Sequence, residues 1–395
     1  MEYLYALWRF FPAPLLVYQI AVTVIAAFML INAALDWFYF RRPRSVSAPK
    51  DIASVSVLIP ARNEEAHIGA CIDSLLAQDY PGPLEIIVVD DGSEDGTSAE
   101  VQKRQRQAQA SRPTLKLMQG GEILPGWKGK PNALRQMATE ASGELLLLTD
   151  ADCVFLPGAI AAAVAFKEET KADSLSLIPF LQCDSFWENV LIPLQYFLIF
   201  ATLPVRAISE TANPAFAASN GAFILISAKT YAALGGHSAV RDEMAEDVLF
   251  ARHVKRSGYR LFYGDGAAVY KVRMYASFQE IWAGFSKNLF SAMGKSVPIV
   301  LLWSVFALAT QVAPFAFLTV ALIRGDHSLA GFALPLMQCL VALGIRAALA
   351  VRFQNALWAT LTHPLGWFVF TGIALRSAYL GISGKGHAWK GRVYQ

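Results

Sequence analysis

The chain has 395 residues, of which 55% are hydrophobic and only 16% are charged, and its formal net charge at pH 7 is +3. A charged fraction this low is atypical of a soluble globular protein, so membrane-spanning segments are expected. The small net charge predicts no nucleic-acid-binding surface, and four scattered cysteines predict neither a disulfide framework nor a zinc site but suit a reducing cytoplasm.

Four long apolar segments are expected to span a membrane, since a bilayer core needs about 20 apolar residues in helical form. One lies near the N-terminus and three lie near the C-terminus, and the alternative for each is a buried core helix. Charged and polar residues interrupt or flank the last two, namely Arg346, Arg352, His363 and Arg376. The four segments comprise residues 15–35, 297–323, 328–345 and 353–375.

Basic residues follow the first apolar segment, which is long and has little positive charge ahead of it, unlike a cleaved signal peptide. Arg41, Arg42 and Arg44 place this end in the cytoplasm by the positive-inside rule, and Lys287 and Lys295 agree. The sequence therefore predicts an N-terminal anchor, a cytoplasmic domain and a C-terminal membrane region with a basic tail. Their boundaries are 1–44, 45–295 and 296–395.

The basic tail over 385–392 does not fit this arrangement, because three C-terminal spans would place it outside the cytoplasm. Either one C-terminal segment is re-entrant or the number of spans differs. The side of the membrane on which the tail lies stays open.

Strands and helices are predicted to alternate through the cytoplasmic block. β-branched and apolar runs predict strands over residues 55–59, 84–89, 114–118 and 144–148. Helices are predicted over 64–78, 97–110, 130–141 and 157–169. This order predicts an α/β fold with a mainly parallel sheet covered by helices on both faces. Ligands of such sheets bind at the carboxyl ends of the strands.

Asp150 and Asp152 directly follow the strand over 144–148. Residues i and i+2 of an extended segment point to the same side, so the two carboxylates are expected to lie together. Such a pair can bind a hard divalent cation, Mg²⁺ or Mn²⁺, which also takes substrate phosphates as ligands. The alternative is that Asp152 caps the helix that begins near Pro157.

Further polar residues are predicted at the same edge of the sheet. Asp90 and Asp91 end the second strand; an Asx turn explains one of them, and the other can accept a hydrogen bond from a nucleobase. Lys130 stands at a helix start, where its charge and the helix N-terminus can neutralise a phosphate. The alternative for Lys130 is a solvated loop lysine.

Glu246 and Asp247 open another predicted helix, whose apolar residues follow at helical spacing. A carboxylate pair at this place can simply complement the helix dipole. It can equally supply the base that removes the proton of an attacking hydroxyl group.

The segment over 186–205 lies between the two acidic motifs. Its uncharged part, 190–205, is short for a membrane span, rich in aromatic residues and contains Pro193. We expect a helix lying in the membrane interface, where it would admit a lipid hydroxyl to the site. The alternative is a buried helix of the domain.

Together these motifs resemble those of the inverting family 2 glycosyltransferases with a GT-A fold, over about residues 54–260. Within that family the chain is most similar to membrane-anchored enzymes that glycosylate lipids, such as hopanoid-associated and carotenoid glucosyltransferases and, more remotely, ceramide glucosyltransferase. The motifs that carry the resemblance are Pro60-Ala-Arg-Asn-Glu64, Val88-Val-Asp-Asp-Gly-Ser93, Gly129-Lys130, Asp150-Ala-Asp152 and Glu246-Asp247.

The resemblance implies roles for these residues. Asp247 would be the catalytic base and Glu246 its supporting neighbour. Asp152 would bind the Mg²⁺ or Mn²⁺ ion, and Asp150 would contact the ribose or a metal-bound water. The residues that would line the nucleotide, its ribose or its diphosphate are Pro60, Arg62, Glu64, Asp91 (or Asp90), Lys130 and Lys287. Asn220 would contact the acceptor.

Processive members of the family carry a Gln-x-x-Arg-Trp motif after the base, whereas the corresponding stretch here reads Ile281-Trp-Ala-Gly-Phe-Ser-Lys-Asn-Leu289. The resemblance therefore implies a single, inverting transfer of a hexose, with glucose and a UDP-linked donor expected, to a hydroxyl of a membrane lipid. A bacterial cytoplasmic membrane is expected, with the catalytic domain facing the cytoplasm as the positive-inside rule indicates. The alternatives are a polyprenyl-phosphate acceptor and a non-catalytic membrane scaffold.

Overall fold

The computed structural model describes residues 12–44, 52–108, 113–243, 245–383, 387–389 and 392–394. The chain forms two compact units. The α/β unit comprises Tyr39–Gln182 and Val205–Met274. The helical unit comprises Met1–Phe38, Cys183–Pro204 and Tyr275–Gln395.

The strands of the α/β unit are β1 (Val55–Ala61), β2 (Leu84–Asp90), β3 (Thr114–Gln119), β4 (Leu145–Leu148), β5 (Cys153–Phe155), β6 (Ser174–Ile178), β7 (Phe180–Leu181), β8 (Ile224–Ser227), β9 (Leu261–Asp265) and β10 (Tyr270–Val272). Seven of them form one sheet in the order β3-β2-β1-β4-β8-β6-β9. Its pairs are parallel except where β8 runs antiparallel to β4 and β6. The mainly parallel sheet is thus confirmed.

The helices predicted between these strands are also found. Those of the α/β unit are Ile68–Leu76, Thr97–Ala108, Gly129–Glu140, Ala159–Thr170, Val205–Glu210, Ala228–Ala233, the 3₁₀ helix Gly236–Val240 and Glu246–Arg256. The first begins four residues later than the predicted 64–78. The reason is that Asn63 has a left-handed φ of 51°, and the amide of Glu64 donates to Thr97 Oγ1 at 2.7 Å instead of entering the helix.

Strand β4 determines where the predicted aspartate pair lies. All four residues of Leu145–Leu148 are buried, because the strand lies between β1 and β8 in the middle of the sheet. The chain then leaves this sheet and enters a smaller one, ordered β5-β10-β7. Thr149 fixes the turn between the sheets, since its amide donates to Leu58 O at 3.1 Å and its hydroxyl to Ala222 O at 2.8 Å. The aspartates therefore lie at the carboxyl end of a fully buried strand.

The described part of the helical unit contains four helices that are long and apolar enough to cross a membrane: Ala13–Tyr39, Val297–Arg324, Leu329–Arg352 and Leu357–Ile382. One N-terminal and three C-terminal spans were expected, and their number is confirmed by length and composition. The second contains the π turn Leu308–Val312 just before Pro314. The unit also holds the helix Phe278–Ala292 and the strand pair His387–Trp389 and Arg392–Tyr394.

The segment expected to form one interfacial helix over 186–205 is divided in the structure. The helices Phe186–Leu191 and Leu194–Thr202 meet at Pro193, which has no N–H to continue the hydrogen-bond ladder. The guanidinium of buried Arg346 donates to Asn189 O at 3.1 Å, the carbonyl that Pro193 leaves free, and to Val190 O at 3.0 Å. The location of the segment over 186–205 at a membrane interface stays a prediction.

Arg346→Met is expected to destabilise the helical unit by about 2–4 kcal/mol, because it leaves two buried carbonyls without a charged donor. Thermal unfolding in detergent measures this loss. The matched control is Arg376→Met, whose exposed guanidinium lies over the Trp282 ring at 5.8 Å and contributes about 0.5–1 kcal/mol. Equal losses for the two variants would contradict the role of Arg346.

Candidate active site

The carboxyl ends of β1, β2 and β4 lie at one edge of the sheet, because these neighbouring strands are parallel. The loop after β1 is tied to the loop after β2 by Arg62, whose Nη1 donates to Asp91 O at 2.6 Å and Gly92 O at 2.8 Å. The amide of Asn63 donates to Ser93 Oγ at 3.0 Å. The predicted convergence of these motifs on one edge is thus present in the fold.

The two aspartates at the end of β2 have different surroundings. Asp90 Oδ1 accepts from the Ser93 amide at 2.8 Å, and Oδ2 accepts from the Ser98 hydroxyl. The side chain of Asp90 therefore stabilises the turn that follows β2. Asp90 is thus the aspartate that the predicted Asx turn explains. Asp91, which is also largely buried, remains the better candidate for contact with a nucleobase.

Lys130 links the two acidic motifs. Its ammonium lies 2.7 Å from Asp150 Oδ1 and 2.9 Å from Glu246 Oε1. Burial opposes the positive charge, but the two carboxylates outweigh it and hold the pKa of Lys130 well above its ordinary value. Lys130 lies in the first turn of the Gly129–Glu140 helix and its ammonium is paired with both carboxylates, so it is not a solvated loop lysine.

Asp247 lies beside this cluster in the first turn of the Glu246–Arg256 helix. Its Oδ2 accepts from the Gly221 amide at 3.0 Å and its Oδ1 from the Val248 amide at 2.8 Å. Burial and the neighbouring Glu246 raise the pKa of Asp247 to about 6, although Lys130 and the two amides act in the opposite direction. A carboxylate with this pKa accepts a proton more readily than an exposed aspartate does.

The loop that carries Gly221 is held on the sheet by β6. Ser176 Oγ accepts from the Asn220 amide at 2.8 Å and from Ser219 Oγ at 3.1 Å. Asn220 Oδ1 accepts from the Ala222 amide at 3.0 Å. The side-chain oxygen of Asn220 is thus used within the loop. The predicted contact with the acceptor would therefore be made by the NH₂ group of Asn220.

The carboxylates at the end of β4 suit a divalent cation. Asp150 and Asp152 are both half-buried, and Mg²⁺ commonly binds through one or two carboxylates plus phosphate oxygens. No cluster of three or more metal-ligating side chains occurs within the described residues. Burial, then Asp152 and Asp150, raise the pKa of Cys71 and Cys153, so these thiols stay protonated and do not compete as ligands.

Three further predicted site residues lie in three different elements. Pro60 belongs to β1, where it pairs with Val89, and Glu64 begins the turn before the first helix of the α/β unit. Lys287 lies on Phe278–Ala292 in the helical unit. The roles assigned to these three residues stay predictions.

Sequence reasoning missed His237, whose ring is stacked on Phe250 with a centroid distance of 4.7 Å and an interplanar angle of 7°. Phe250 lies one helical turn after Glu246. The only signal in the sequence was a histidine directly after Gly235-Gly236, nine residues before Glu246, the first residue of the acidic pair.

The sheet is mainly parallel and carries acidic loops at its carboxyl edge. A further carboxylate pair begins a helix beside these loops. This arrangement is a GT-A-like α/β architecture. A mannosyltransferase from Pyrobaculum calidifontis shares the fold, with a TM-score of 0.58 and 20% identity over 94% of this chain and 99% of that chain.

The family description Glycosyl transferase family 2 matches residues 56–207. The 4,4'-diaponeurosporenoate glycosyltransferase of Staphylococcus aureus strain MRSA252 is 25% identical over 349 residues, covering 86% of this chain and 88% of that relative. The same enzyme from the bovine strain RF122 is 24% identical over 382 residues, covering 94% and 96%. Residues 56–207 thus match a glycosyl transferase family 2 domain, and together with the relatives this match supports a glycosyltransferase.

Proposed function

We propose that the protein transfers a hexose from a nucleotide-sugar to a hydroxyl group of a membrane lipid, in a single inverting step. The observation that carries the proposal is the placement of Asp247, with its raised pKa, beside a cluster in which Lys130 bridges Asp150 and Glu246. The four apolar helices and the relatives that glycosylate diaponeurosporenoate support a lipid acceptor.

The donor is proposed to bind at the carboxyl edge of the sheet. Asp91 and Arg62 lie at the nucleobase end, and Lys130 lies at the diphosphate end with the N-terminus of its helix. Asp152 is the proposed ligand of a divalent cation, with Asp150 shared between that cation and Lys130. When bound, the cation offsets the negative charge of the departing diphosphate.

The chemistry on the acceptor side falls to Asp247. Its carboxylate takes the proton of the acceptor hydroxyl, and the oxygen forms a bond to the anomeric carbon as the bond from that carbon to the diphosphate breaks. The nucleoside diphosphate leaves with the bonding electrons. One displacement inverts the anomeric centre and requires no covalent nucleophile. The amides of Gly221 and Val248 hold the carboxylate in one orientation.

Transfer is expected to fall as the pH drops through about 6, because protonated Asp247 cannot accept the hydroxyl proton. The test is kcat/KM measured between about pH 5 and 8. Glu246→Gln removes a neighbouring negative charge that raises this pKa, so the acidic limb should move to lower pH. An acidic limb that stays in place in Glu246→Gln would contradict the assignment of Asp247 as the titrating base.

The helical unit is proposed to hold the protein in the cytoplasmic membrane of a bacterium, with the α/β unit in the cytoplasm, where nucleotide-sugars are available. Arg41, Arg42 and Arg44, directly after the first apolar helix, support this orientation. A cysteine-accessibility assay on intact cells tests it, since a cysteine placed at exposed Glu94 should be protected from an impermeant thiol reagent.

The function is tested by the release of nucleoside diphosphate from the protein in lipid vesicles. UDP-glucose is the expected donor. GDP-mannose and Mn²⁺ are included because the mannosyltransferase of similar fold was solved with GDP-Man and Mn²⁺. Release should accelerate when a lipid with a free hydroxyl is added. Acceleration by a polyprenyl phosphate alone would favour the alternative acceptor, and no release with any donor would favour the scaffold.

A further inference from the structure

The helix that begins with Glu246 and Asp247 is contacted by a short segment that precedes it in the α/β unit, Tyr231–His237. We propose that His237, locked in place by Tyr231, is a positioning residue that fixes the first turn of this helix and thereby the place of the base Asp247. The inference rests on the proposed function, since it assigns a further residue to the same reaction.

The first contact is between aromatic rings. The imidazole of His237 lies parallel to the ring of Phe250, with a centroid distance of 4.7 Å and an interplanar angle of 7°. Both side chains are buried, with 2% and 1% exposure. Phe250 is three residues after Asp247, so the two belong to neighbouring positions on the helix surface. A shift of the imidazole is therefore transmitted to the turn that carries the base.

The second contact fixes the imidazole itself. Its Nδ1 lies 2.8 Å from the hydroxyl of Tyr231, which is also buried. Burial raises the pKa of that hydroxyl, so it keeps its proton and can donate to Nδ1. Burial and the nearby Lys130 lower the pKa of His237 to about 3, so the ring is neutral and can accept at Nδ1. The hydrogen bond thus fixes the orientation of the ring.

Two glycines make this arrangement possible. Gly235 and Gly236 have φ values of 72° and 57°, in the left-handed region that favours glycine. A Cβ on Gly236 would lie 2.8 Å from the ring of Tyr231, so the turn brings the backbone against the tyrosine. The glycine turn and the hydrogen bond from Tyr231 together hold the imidazole in one position.

The same segment makes a second contact with the helix, a hydrogen bond farther from the base. His253 Nε2 lies 3.0 Å from the carbonyl oxygen of Leu234. His253 is six residues after Asp247, almost two turns along the helix. This contact therefore provides a matched control, since it joins the same two elements without contacting the turn that carries the base.

Simple packing at this place would not require the two polar side chains of Tyr231 and His237. Two phenylalanine rings would fill this space without the desolvation cost of a buried imidazole and phenol. Removing one member of a buried hydrogen-bonded pair leaves the other unsatisfied, whereas replacing both by apolar groups of similar shape is nearly neutral. The pair Tyr231 and His237 thus allows a rescue experiment.

The experiment measures kcat and the donor KM of the full-length protein in lipid vesicles. His237→Ala should lower kcat by about 10- to 100-fold and change the donor KM by less than about 2-fold, because a displacement of about 1 Å at a catalytic group has effects of this size. His253→Ala should leave kcat within about 2-fold of the wild type.

The rescue compares His237→Phe with the double variant Tyr231→Phe/His237→Phe. The single variant should lose activity because the tyrosine hydroxyl is left without an acceptor, and the double variant should recover to within about 3-fold of the wild type. A double variant as inactive as His237→Ala would overturn the positioning role, since it would show that the imidazole nitrogens themselves are required. Equal kcat values for His237→Ala and wild type would also overturn it.

Amide hydrogen exchange provides a readout that needs no substrate. The amides of residues 246–250 should exchange at least about 10-fold faster in His237→Ala than in His253→Ala. Unchanged exchange would overturn the inference even if the wild type transferred no sugar. Inactivity of the wild type with every donor would instead overturn the proposed function.

Discussion

Asp247→Asn is expected to lower kcat for sugar transfer by about 10³-fold while changing the donor KM little, because an amide cannot accept the hydroxyl proton. The substitution preserves the shape of the side chain and one oxygen that accepts from the amide of Gly221 or Val248. Steady-state transfer to a lipid acceptor measures the loss.

The matched control for this substitution is Asp242→Asn. Asp242 is an exposed aspartate five residues before the base, and its neutralisation should leave kcat within about 2-fold of the wild type. An Asp247→Asn protein that retained a tenth of the wild-type kcat would show that another group removes the proton.

Asp152→Asn is expected to reduce transfer by about 10²- to 10³-fold, since several kcal/mol of charge stabilisation depend on the cation that this carboxylate is proposed to hold. A chelator should inactivate the wild type to a similar extent, and added Mg²⁺ or Mn²⁺ should restore it. Donor affinity, measured by calorimetry with and without Mn²⁺, should depend on the metal in the wild type only.

Asp79→Asn serves as the control for Asp152→Asn, because Asp79 is exposed and lies outside the sheet edge that carries the site. It should behave as the wild type in both measurements. Full activity of the wild type in the presence of chelator would contradict the metal assignment while leaving the base assignment intact.

The elements that position the donor side were predictable from local pattern. Strands such as Leu145–Leu148 are continuous apolar runs, because a central parallel strand is covered on both faces. Once the strands were placed, the rule that parallel strands end at one edge brought Asp91 and Asp150 to the same place. Both steps require information from short stretches of sequence only.

The contacts that complete the site depend on pairings between distant residues. Lys130 meets Glu246 across more than a hundred residues, and the amide of Gly221 meets Asp247. Neither contact has a signal in local periodicity. The antiparallel insertion of β8 between β4 and β6 brings Gly221 to the site, and the alternation of strands and helices did not predict that insertion.

In the divided segment over 186–205, the local structure was predictable but the distant residue that stabilises it was not. The apolar composition correctly favoured helix, and Pro193 was visible in the sequence. What sequence reasoning could not supply was the partner that satisfies the carbonyl of Asn189, which the proline leaves free. That partner is Arg346, on a membrane helix more than 150 residues later. The charged residue that interrupts or flanks an apolar segment of the sequence is a structural hydrogen-bond donor.

The most direct test of the central claim follows a labelled hexose into the lipid fraction. Membranes containing the wild-type protein or Asp247→Asn are incubated with UDP-[¹⁴C]glucose and GDP-[¹⁴C]mannose in separate reactions, and the lipids are extracted into organic solvent. We expect label from one donor to enter the lipid fraction with the wild type and not with Asp247→Asn. Label that appeared only in water-soluble polymer, or equally with both proteins, would contradict the account.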